Sequence, residues 1–319
     1  MPLTRRSFLA TSTAAAAAAT LPLPARAQSP LSVVATTGMI GDAAAVLGGG
    51  AASVHALMGP GVDPHSYRAT RTDIVAVGRA DLVLIHGLYL EAQMEEFFAT
   101  VGARTPLLRV GEAIPAERLL AHETYADKFD PHVWMDPGLW QIPIAAIAEA
   151  LAAARPDAAP AIAAAGEAYL AEAQALDSYA AEAIATIPEG RRILVTAHDA
   201  FRYFGRAYGI EVQGIQGIST ESEAGLARIA ELVELIVSRR VTAVFVESSV
   251  SDRNIRALIE GAAARGHEVA IGGELYSDAM GAAGSYEGSW LGMIDHNVTT
   301  IARALGGTAP AEGRLGRLA

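Results

Sequence analysis

The chain has no cysteine among its 319 residues. This absence excludes disulfide bonds, thiolate metal sites, cysteine nucleophiles and a lipid-modified N-terminal cysteine. A metal ion bound by this chain must therefore be held by histidine, aspartate or glutamate side chains. Eight histidines and 35 acidic residues are present for that role.

Basic residues are scarce. The 24 lysines and arginines face 35 aspartates and glutamates, so the formal net charge is −11 at pH 7. A nucleic-acid-binding protein presents a basic surface, and this class is therefore excluded. With 51% hydrophobic and 18% charged residues the chain can bury substantial cores, which excludes a disordered protein. Its length indicates about two domains.

The N-terminal segment, residues 1–27, has the polarity of an export signal. Arg5-Arg6 precede Phe8-Leu9, an alanine-rich stretch follows, and Ala25-Arg26-Ala27 fits a small-x-small cleavage site. The arginine pair resembles a twin-arginine signal, so we expect a mature protein that is free in a bacterial periplasm. The apolar stretch is too short to remain as a membrane span, and we expect no span elsewhere.

Short apolar runs alternate with helical segments along the mature chain, which predicts parallel sheets with helices on their faces. The predicted fold class is α/β, with two lobes that each contain a four-stranded, mainly parallel sheet with flanking helices. One long connecting helix joins the lobes, because an apolar stripe continues through residues 161–187. The predicted division is an N-terminal lobe at 28–155, a linking helix at 156–188, a C-terminal lobe at 189–306 and a loose tail at 307–319.

Eight strands are predicted. They are Ser32–Thr36, Ser53–Leu57, Leu82–Ile85 and Leu107–Val110 in the first lobe, and Ile193–Ala197, Ile210–Ile215, Ala243–Glu247 and Glu268–Ile271 in the second. The pattern Thr220-x-x-Glu223 is typical of a capping box and predicts that a helix begins at Glu221 and extends to Ser238.

Four metal-binding side chains lie beyond predicted strand ends, where ligands bind in open α/β sheets. His65 and His132 lie in proline-bounded loops of the first lobe. In the second lobe, His198 directly follows a strand and Asp278 follows the last one. Two candidates from each lobe predict a site in the cleft between the lobes.

Three further residues are candidates near such a site. His86 ends a strand and is an alternative ligand, and Glu247 ends another and rivals Asp278 as the carboxylate ligand. We expect Glu247 to lie behind the ligands or in an ion pair with Arg253. Asp199 and His86 are the other candidates for positions behind the ligands.

Five blocks of sequence resemble a known family, the TroA-like zinc/manganese receptors, which are metal-binding solute-binding proteins of ABC importers. The blocks are 55–65, 130–136, 196–204, 245–249 and 272–280. The resemblance extends over essentially all of the mature chain. It implies two α/β lobes joined by one long helix, and metal ligands at His65, His132, His198 and Asp278, with Glu247 outside the ligand set.

The resemblance also bears on the metal, in two opposing ways. A histidine at the third ligand position, here His198, is found in zinc receptors and in zinc/manganese receptors. Zinc-directed members often carry a loop rich in histidine and aspartate before the second ligand, whereas residues 111–130 hold only His122. Three imidazoles and one carboxylate suit tetrahedral Zn²⁺, so we expect Zn²⁺, with Mn²⁺ as the alternative.

The expected function is capture of the ion and delivery to an ABC permease, without catalysis, by a monomer that is not inserted in the membrane. Since the imidazoles must be neutral to bind the ion, affinity should fall below a pH of about 6.5. The continuous helix predicts a small shift of the lobes and local loop motion.

Two other functions stay open at this point. One is a periplasmic zinc-dependent hydrolase with Asp199 or Glu247 as the base, although the sequence has no His-Glu-x-x-His motif and no His-x-His pair. The other is a receptor for an organic or chelated-metal ligand.

Overall fold

In the computed structural model, which describes residues 29–222 and 224–318, the first half of the chain folds around a four-stranded parallel sheet. The predicted export signal at 1–27 lies outside the described residues. The strands follow the order β2-β1-β3-β4 and are β1 (Leu31–Ala35), β2 (Ala52–Ala56), β3 (Leu82–Ile85) and β4 (Leu107–Arg109). The helices between them are α1 (Gly38–Gly48), α2 (Arg71–Arg79) and α3 (Glu95–Gly102). Each strand lies within one residue of its predicted position.

Two long helices connect this sheet to the second half. Helix α4 (Pro137–Ala154) is capped by Asp136, whose carboxylate accepts a hydrogen bond from the Leu139 N–H at 2.9 Å. Helix α5 (Ala159–Ala185) has 27 residues, which corresponds to ~40 Å. It packs against α4 and α1 and buries an apolar stripe at helical spacing. The stripe includes Ile162, Tyr169, Ala173, Leu176, Ala180 and Ile184.

The second half contains four strands that pair in parallel as two two-stranded sheets, β5 (Ile193–Thr196) with β6 (Glu211–Gly214) and β7 (Ala243–Glu247) with β8 (Ala270–Leu275). The α/β class is confirmed, but the expectation of a single four-stranded sheet in this half is wrong. Strands β5 and β7 lie side by side. At the carboxyl ends of these strands, the Glu247 carboxylate accepts a hydrogen bond from the His198 backbone N–H at 2.8 Å. This N–H is therefore not available for a hydrogen bond between strands.

The helices of this half are α6 (Arg202–Tyr208), α7 (Leu226–Ser238), α8 (Arg253–Ala263) and α9 (Trp290–Ala304). The start predicted for α7 is wrong. The helix begins five residues after Glu221, with Gly225 at its N-cap. Thr220 does not cap it, because its hydroxyl donates to the Asp63 carboxylate of the first half at 2.6 Å. Glu223, the other residue of the predicted capping box, lies outside the described residues.

The C-terminal residues 307–318 are anchored by hydrogen bonds, contrary to the predicted loose tail, although most of their side chains are exposed. The Thr308 N–H donates to the Thr186 hydroxyl at 2.7 Å, and the Arg314 N–H donates to the Asp295 carboxylate at 2.9 Å. Gly313 has a φ of +75°, and a side chain there would meet Asp295. The buried Asp295 carboxylate needs hydrogen-bond donors, and the tail supplies one.

Helix α4 has the length and apolar composition of a membrane span, which contradicts the expectation that no such stretch exists outside the signal. Its large side chains are buried in the core, where the helix packs against α1 and α5. The buried residues are Leu139, Trp140, Ile144, Ile147 and Leu151. Core packing therefore accounts for its composition.

Asp42 of α1 joins three helices. Its Oδ2 accepts hydrogen bonds from the Tyr169 hydroxyl of α5 and from the Trp290 backbone N–H of α9, each at 2.9 Å. Burial raises the pKa of this carboxyl above its ordinary value, while the two hydrogen bonds act in the opposite direction.

We expect Asp42→Ala to lower the free energy of unfolding by roughly 1–3 kcal/mol, because it leaves two donors of the helix core without an acceptor. Urea denaturation followed by circular dichroism measures this change. As a control, Asp157→Ala removes an exposed carboxylate and should change stability by less than about 0.5 kcal/mol. Equal stability of the two variants would contradict the proposed role of Asp42.

Candidate metal centre

The sequence Asp-Pro-His occurs twice and shapes two loops in the same way. In Asp63-Pro64-His65, which follows β2, the Asp63 carboxylate accepts a hydrogen bond from the His65 N–H at 2.9 Å. In Asp130-Pro131-His132, which precedes α4, Asp130 accepts from the His132 N–H at 3.0 Å. Such turns fix the backbone locally, so each histidine side chain leaves its loop in a defined direction.

The four predicted ligands lie together. His65 is 4% exposed and Asp278 2% exposed, and His132 and His198 are fully buried. One potential ligand atom from each of the four lies within 4.8 Å of the others. The strands therefore bring residues from both halves of the chain to one point, as the sequence predicted.

The distances within this group are short. The Nε2 atoms of His65 and His132 are 3.3 Å apart. Asp278 Oδ1 lies 3.3 Å from His132 Nε2, and Oδ2 lies 3.2 Å from His198 Nε2 and 3.6 Å from His65 Nε2. Both Asp278 oxygens and His198 Nε2 lack a hydrogen-bond partner. Buried polar atoms without a partner are rare, and a cation between them would satisfy all three. The four residues could thus hold a metal ion.

Two carboxylates hold the histidines from behind. His132 Nδ1 donates to Asp130 at 2.7 Å, and His198 Nδ1 donates to Glu247 at 2.5 Å. With Nδ1 engaged, Nε2 of each ring is directed at the centre of the group. Glu247 therefore contacts His198 rather than Arg253. The sequence analysis missed Asp130, although the repeated Asp-Pro-His pattern was a visible signal for it.

The other two candidates do not join the group. Asp199 lies 3.7 Å from the Arg202 guanidinium, and burial raises the pKa of its carboxyl to about 7. His86 Nε2 donates to the Pro131 carbonyl at 2.7 Å, and its ring is stacked on Trp140. Burial lowers the pKa of His86 to about 3, so the ring is neutral. His86 thus supports the loop that carries His132.

The pKa values within the group diverge. Burial lowers the pKa of His65 to about 4. Burial also opposes the charge on His132, but the Asp130 and Asp278 carboxylates outweigh it and raise the pKa of His132 to about 9. Glu247 and Asp278 likewise outweigh burial at His198 and hold its pKa well above the ordinary value. The ordinary histidine pKa of about 6.5, expected from the sequence, therefore does not apply here.

Asp278 is ionised despite being buried. Burial alone would raise its pKa, but the nearby His198 and His132 rings outweigh this effect and hold the pKa well below the ordinary value. The shifts of His132, His198 and Asp278 are thus mutual, because each group favours the charged form of its neighbour.

Comparison with known proteins identifies the family. Residues 33–304 match the family model ZnuA, described as zinc-uptake complex component A, periplasmic. The chain is 46% identical over 279 residues to the manganese-binding lipoprotein MntA of Bacillus subtilis, which covers 88% of this chain and 91% of MntA. It is 45% identical over 273 residues to the zinc-binding protein TroA of Treponema pallidum, which covers 86% of this chain and 88% of TroA.

The fold agrees with this result. A solved structure of the periplasmic zinc-binding protein TroA from Treponema pallidum superimposes with a TM-score of 0.84. The match covers 87% of this chain and 99% of that structure. The chain belongs to the ZnuA/TroA family of exported metal-binding proteins, the substrate-binding components of ABC importers.

Proposed function

We propose that this chain captures a divalent transition metal at His65, His132, His198 and Asp278 and delivers it to an ABC permease. The observation that carries this proposal is the set of buried, unpartnered atoms that face one another, both Asp278 oxygens and His198 Nε2. Four protein ligands would enclose the ion and leave no open position for a reacting water. This closed arrangement supports capture over hydrolysis.

Zinc is the metal we propose first. Tetrahedral Zn²⁺ with bonds of about 2.0–2.2 Å has its ligand atoms about 3.3–3.6 Å apart. Four separations between ligand atoms of the group are 3.2–3.6 Å, and one ligand atom from each of the four residues lies within 4.8 Å of the others. Imidazole ligands also favour Zn²⁺ over Mn²⁺ at equal access. Manganese is the alternative, because both Asp278 oxygens face the group and could bind as a pair, and because the relative MntA is named for manganese.

The charge of the centre supports a divalent cargo. At pH 7 the metal-free centre holds about two protons, on His132 and His198, beyond those of neutral imidazoles. A divalent ion that displaces both protons leaves the net charge of the buried centre unchanged. The buried carboxylates therefore face the same total positive charge with and without the cargo.

We further propose the setting in which the chain works. Residues 1–27 would direct export by the twin-arginine route, and the mature protein would act in the periplasm as a monomer that is not inserted in the membrane. Its lobes would comprise residues 28–155 and 189–306, with α5 in the linking segment 156–188. Because α5 packs on helices of both halves, we expect loading and release to involve a small lobe shift and local loop motion.

Metal analysis after stripping and competitive loading with equal Zn²⁺ and Mn²⁺ tests the proposed cargo. We expect one equivalent of zinc in the purified chain and its loss in His198→Ala, which removes one of the four ligands. The control His55→Ala removes an exposed histidine of β2 and should retain the zinc. One equivalent of manganese would replace zinc as the cargo, whereas the absence of bound metal would favour the organic-ligand receptor.

Binding of Zn²⁺ at pH 7 should release about two protons per ion, because His132 and His198 are charged in the metal-free centre and must lose their protons to bind. Affinity should therefore keep rising as the pH increases from 7 toward 9. Calorimetric titration in buffers of different ionisation enthalpy counts these protons. Release of no protons at pH 7 would show that both rings are already neutral.

Asp130→Asn should weaken Zn²⁺ binding by about 10–100-fold, because the amide holds the His132 ring less firmly and lowers its basicity. Competition with a chelator of known affinity measures this change. Asp127→Asn makes the same change of charge at an exposed residue of the same loop and is the matched control. Equal affinities in the two variants would contradict a supporting role for Asp130.

A further inference from the structure

Two cavities reach residues of the proposed metal centre, and their linings differ. The larger, about 330 Å³, borders Asp278 and is lined mostly by glycine, alanine and the side chains of Met58 and Met280. The smaller, about 90 Å³, borders His65 and is lined in part by Gln93, Ser219 and Glu221. A divalent cation that sheds its water needs polar groups along its route, so the smaller cavity has the chemistry of a metal passage.

Both halves of the chain form the walls of this smaller cavity. The first half contributes Tyr89 and Gln93, and the second contributes Ile218, Ser219 and Glu221. We name residues 218–221 the crossing segment. Two hydrogen bonds join the crossing segment to the first half. Gln93 donates from its side-chain amide to the Glu221 carboxylate at 2.8 Å, and the Thr220 hydroxyl donates to the Asp63 carboxylate at 2.6 Å.

Asp63 couples the crossing segment to a proposed metal ligand. One of its carboxylate oxygens accepts a hydrogen bond from the His65 backbone N–H, and the other accepts from Thr220. The Asp63 carboxylate therefore both shapes the loop that carries His65 and binds the crossing segment. Movement of the segment away from Asp63 would expose the side of the centre where His65 lies.

The wall opposite the crossing segment is fixed. Leu88 and Tyr89 have φ values of +52° and +68°, which non-glycine residues adopt only at a cost in energy. The buried Glu91 carboxylate holds this turn by accepting hydrogen bonds from the backbone N–H groups of His86 at 2.7 Å and Gly87 at 3.1 Å. This turn is therefore held at its backbone by a buried carboxylate, whereas the crossing segment is attached through side chains, and we expect opening at the crossing segment.

The ligand loops on the far side of the centre are joined more firmly. The Trp134 indole N–H, next to the His132 loop, donates to the Ser277 carbonyl, next to Asp278, at 2.9 Å. This bond between the halves is buried, whereas the Thr220 bond is part-buried and the Gln93 bond exposed. Water can replace the exposed bonds more easily, so separation should begin at the His65 side.

We propose that the metal ion enters and leaves through the smaller cavity, and that the Thr220–Asp63 and Gln93–Glu221 hydrogen bonds form a latch that sets the rate of release. This inference rests on the proposed metal-binding function. It assigns a kinetic role to four residues outside the ligand set.

Release of Zn²⁺ into an excess of chromogenic chelator, followed by stopped flow, tests the latch. Thr220→Val should speed release about tenfold, the effect of losing one part-buried hydrogen bond to a charged group. Gln93→Met removes an exposed hydrogen bond and should speed release about threefold. Thr220→Ser keeps the hydroxyl and should release zinc within about twofold of the unaltered chain. Thr100→Val removes a hydroxyl from an exposed position on α3 and should leave the rate unchanged.

A fourth variant tests the rival route. Met280→Ala widens the larger cavity and should leave the release rate unchanged if the ion uses the smaller one. Faster release from Met280→Ala, or unchanged release from both Thr220→Val and Gln93→Met, would overturn the proposal. Zinc stoichiometry is measured first for every variant. If the unaltered chain binds no metal, the proposed function is refuted. If it binds one zinc and the latch substitutions leave the release rate unchanged, only the proposed passage is refuted.

Discussion

The structure depends on a buried carboxylate, that of Asp278. A charge removed from water is costly unless opposite charges and hydrogen bonds surround it. Here three imidazoles surround it, and Asp130 and Glu247 hold two of them from behind. The three carboxylates require positive charge, which two protons on the histidines or one divalent ion can equally supply.

The ligand group could be predicted from sequence because it follows from topology. Parallel strands end at the same edge of a sheet, and the two sheets of the second half lie side by side through β5 and β7. The side chains beyond β5 and β8, His198 and Asp278, are therefore brought to the same edge. The groups behind the ligands were harder to predict. Glu247 could be named because it ends a strand. Asp130 lies two residues before His132, in a turn, and its hydrogen bond to the His132 ring depends on the conformation of that turn, which the spacing of the residues does not reveal.

The errors share one physical cause, the competition of distant partners with local signals. Thr220 begins a pattern typical of a helix cap, yet its hydroxyl binds Asp63 on the other half of the chain. The strand predicted at Glu268–Ile271 instead covers Ala270–Leu275 and continues through Gly272 and Gly273, where pairing of β8 with β7 includes a register shift. The composition of α4 is that of a span because one side of it, including Leu139, Trp140 and Ile144, packs in the core with α1 and α5.

The continuous core restricts how the ion can leave. One cluster of buried residues extends from β1 through α5 to α9, so a wide separation of the halves would expose apolar surface on several helices at once. Asp42 and Trp134 add hydrogen bonds across the same region. Detaching the crossing segment breaks two hydrogen bonds at the rim and exposes one buried side chain, that of Ile218, but it leaves the helix core intact. Local opening therefore costs far less free energy than opening of the lobes, and the fold directs release to the His65 side of the centre.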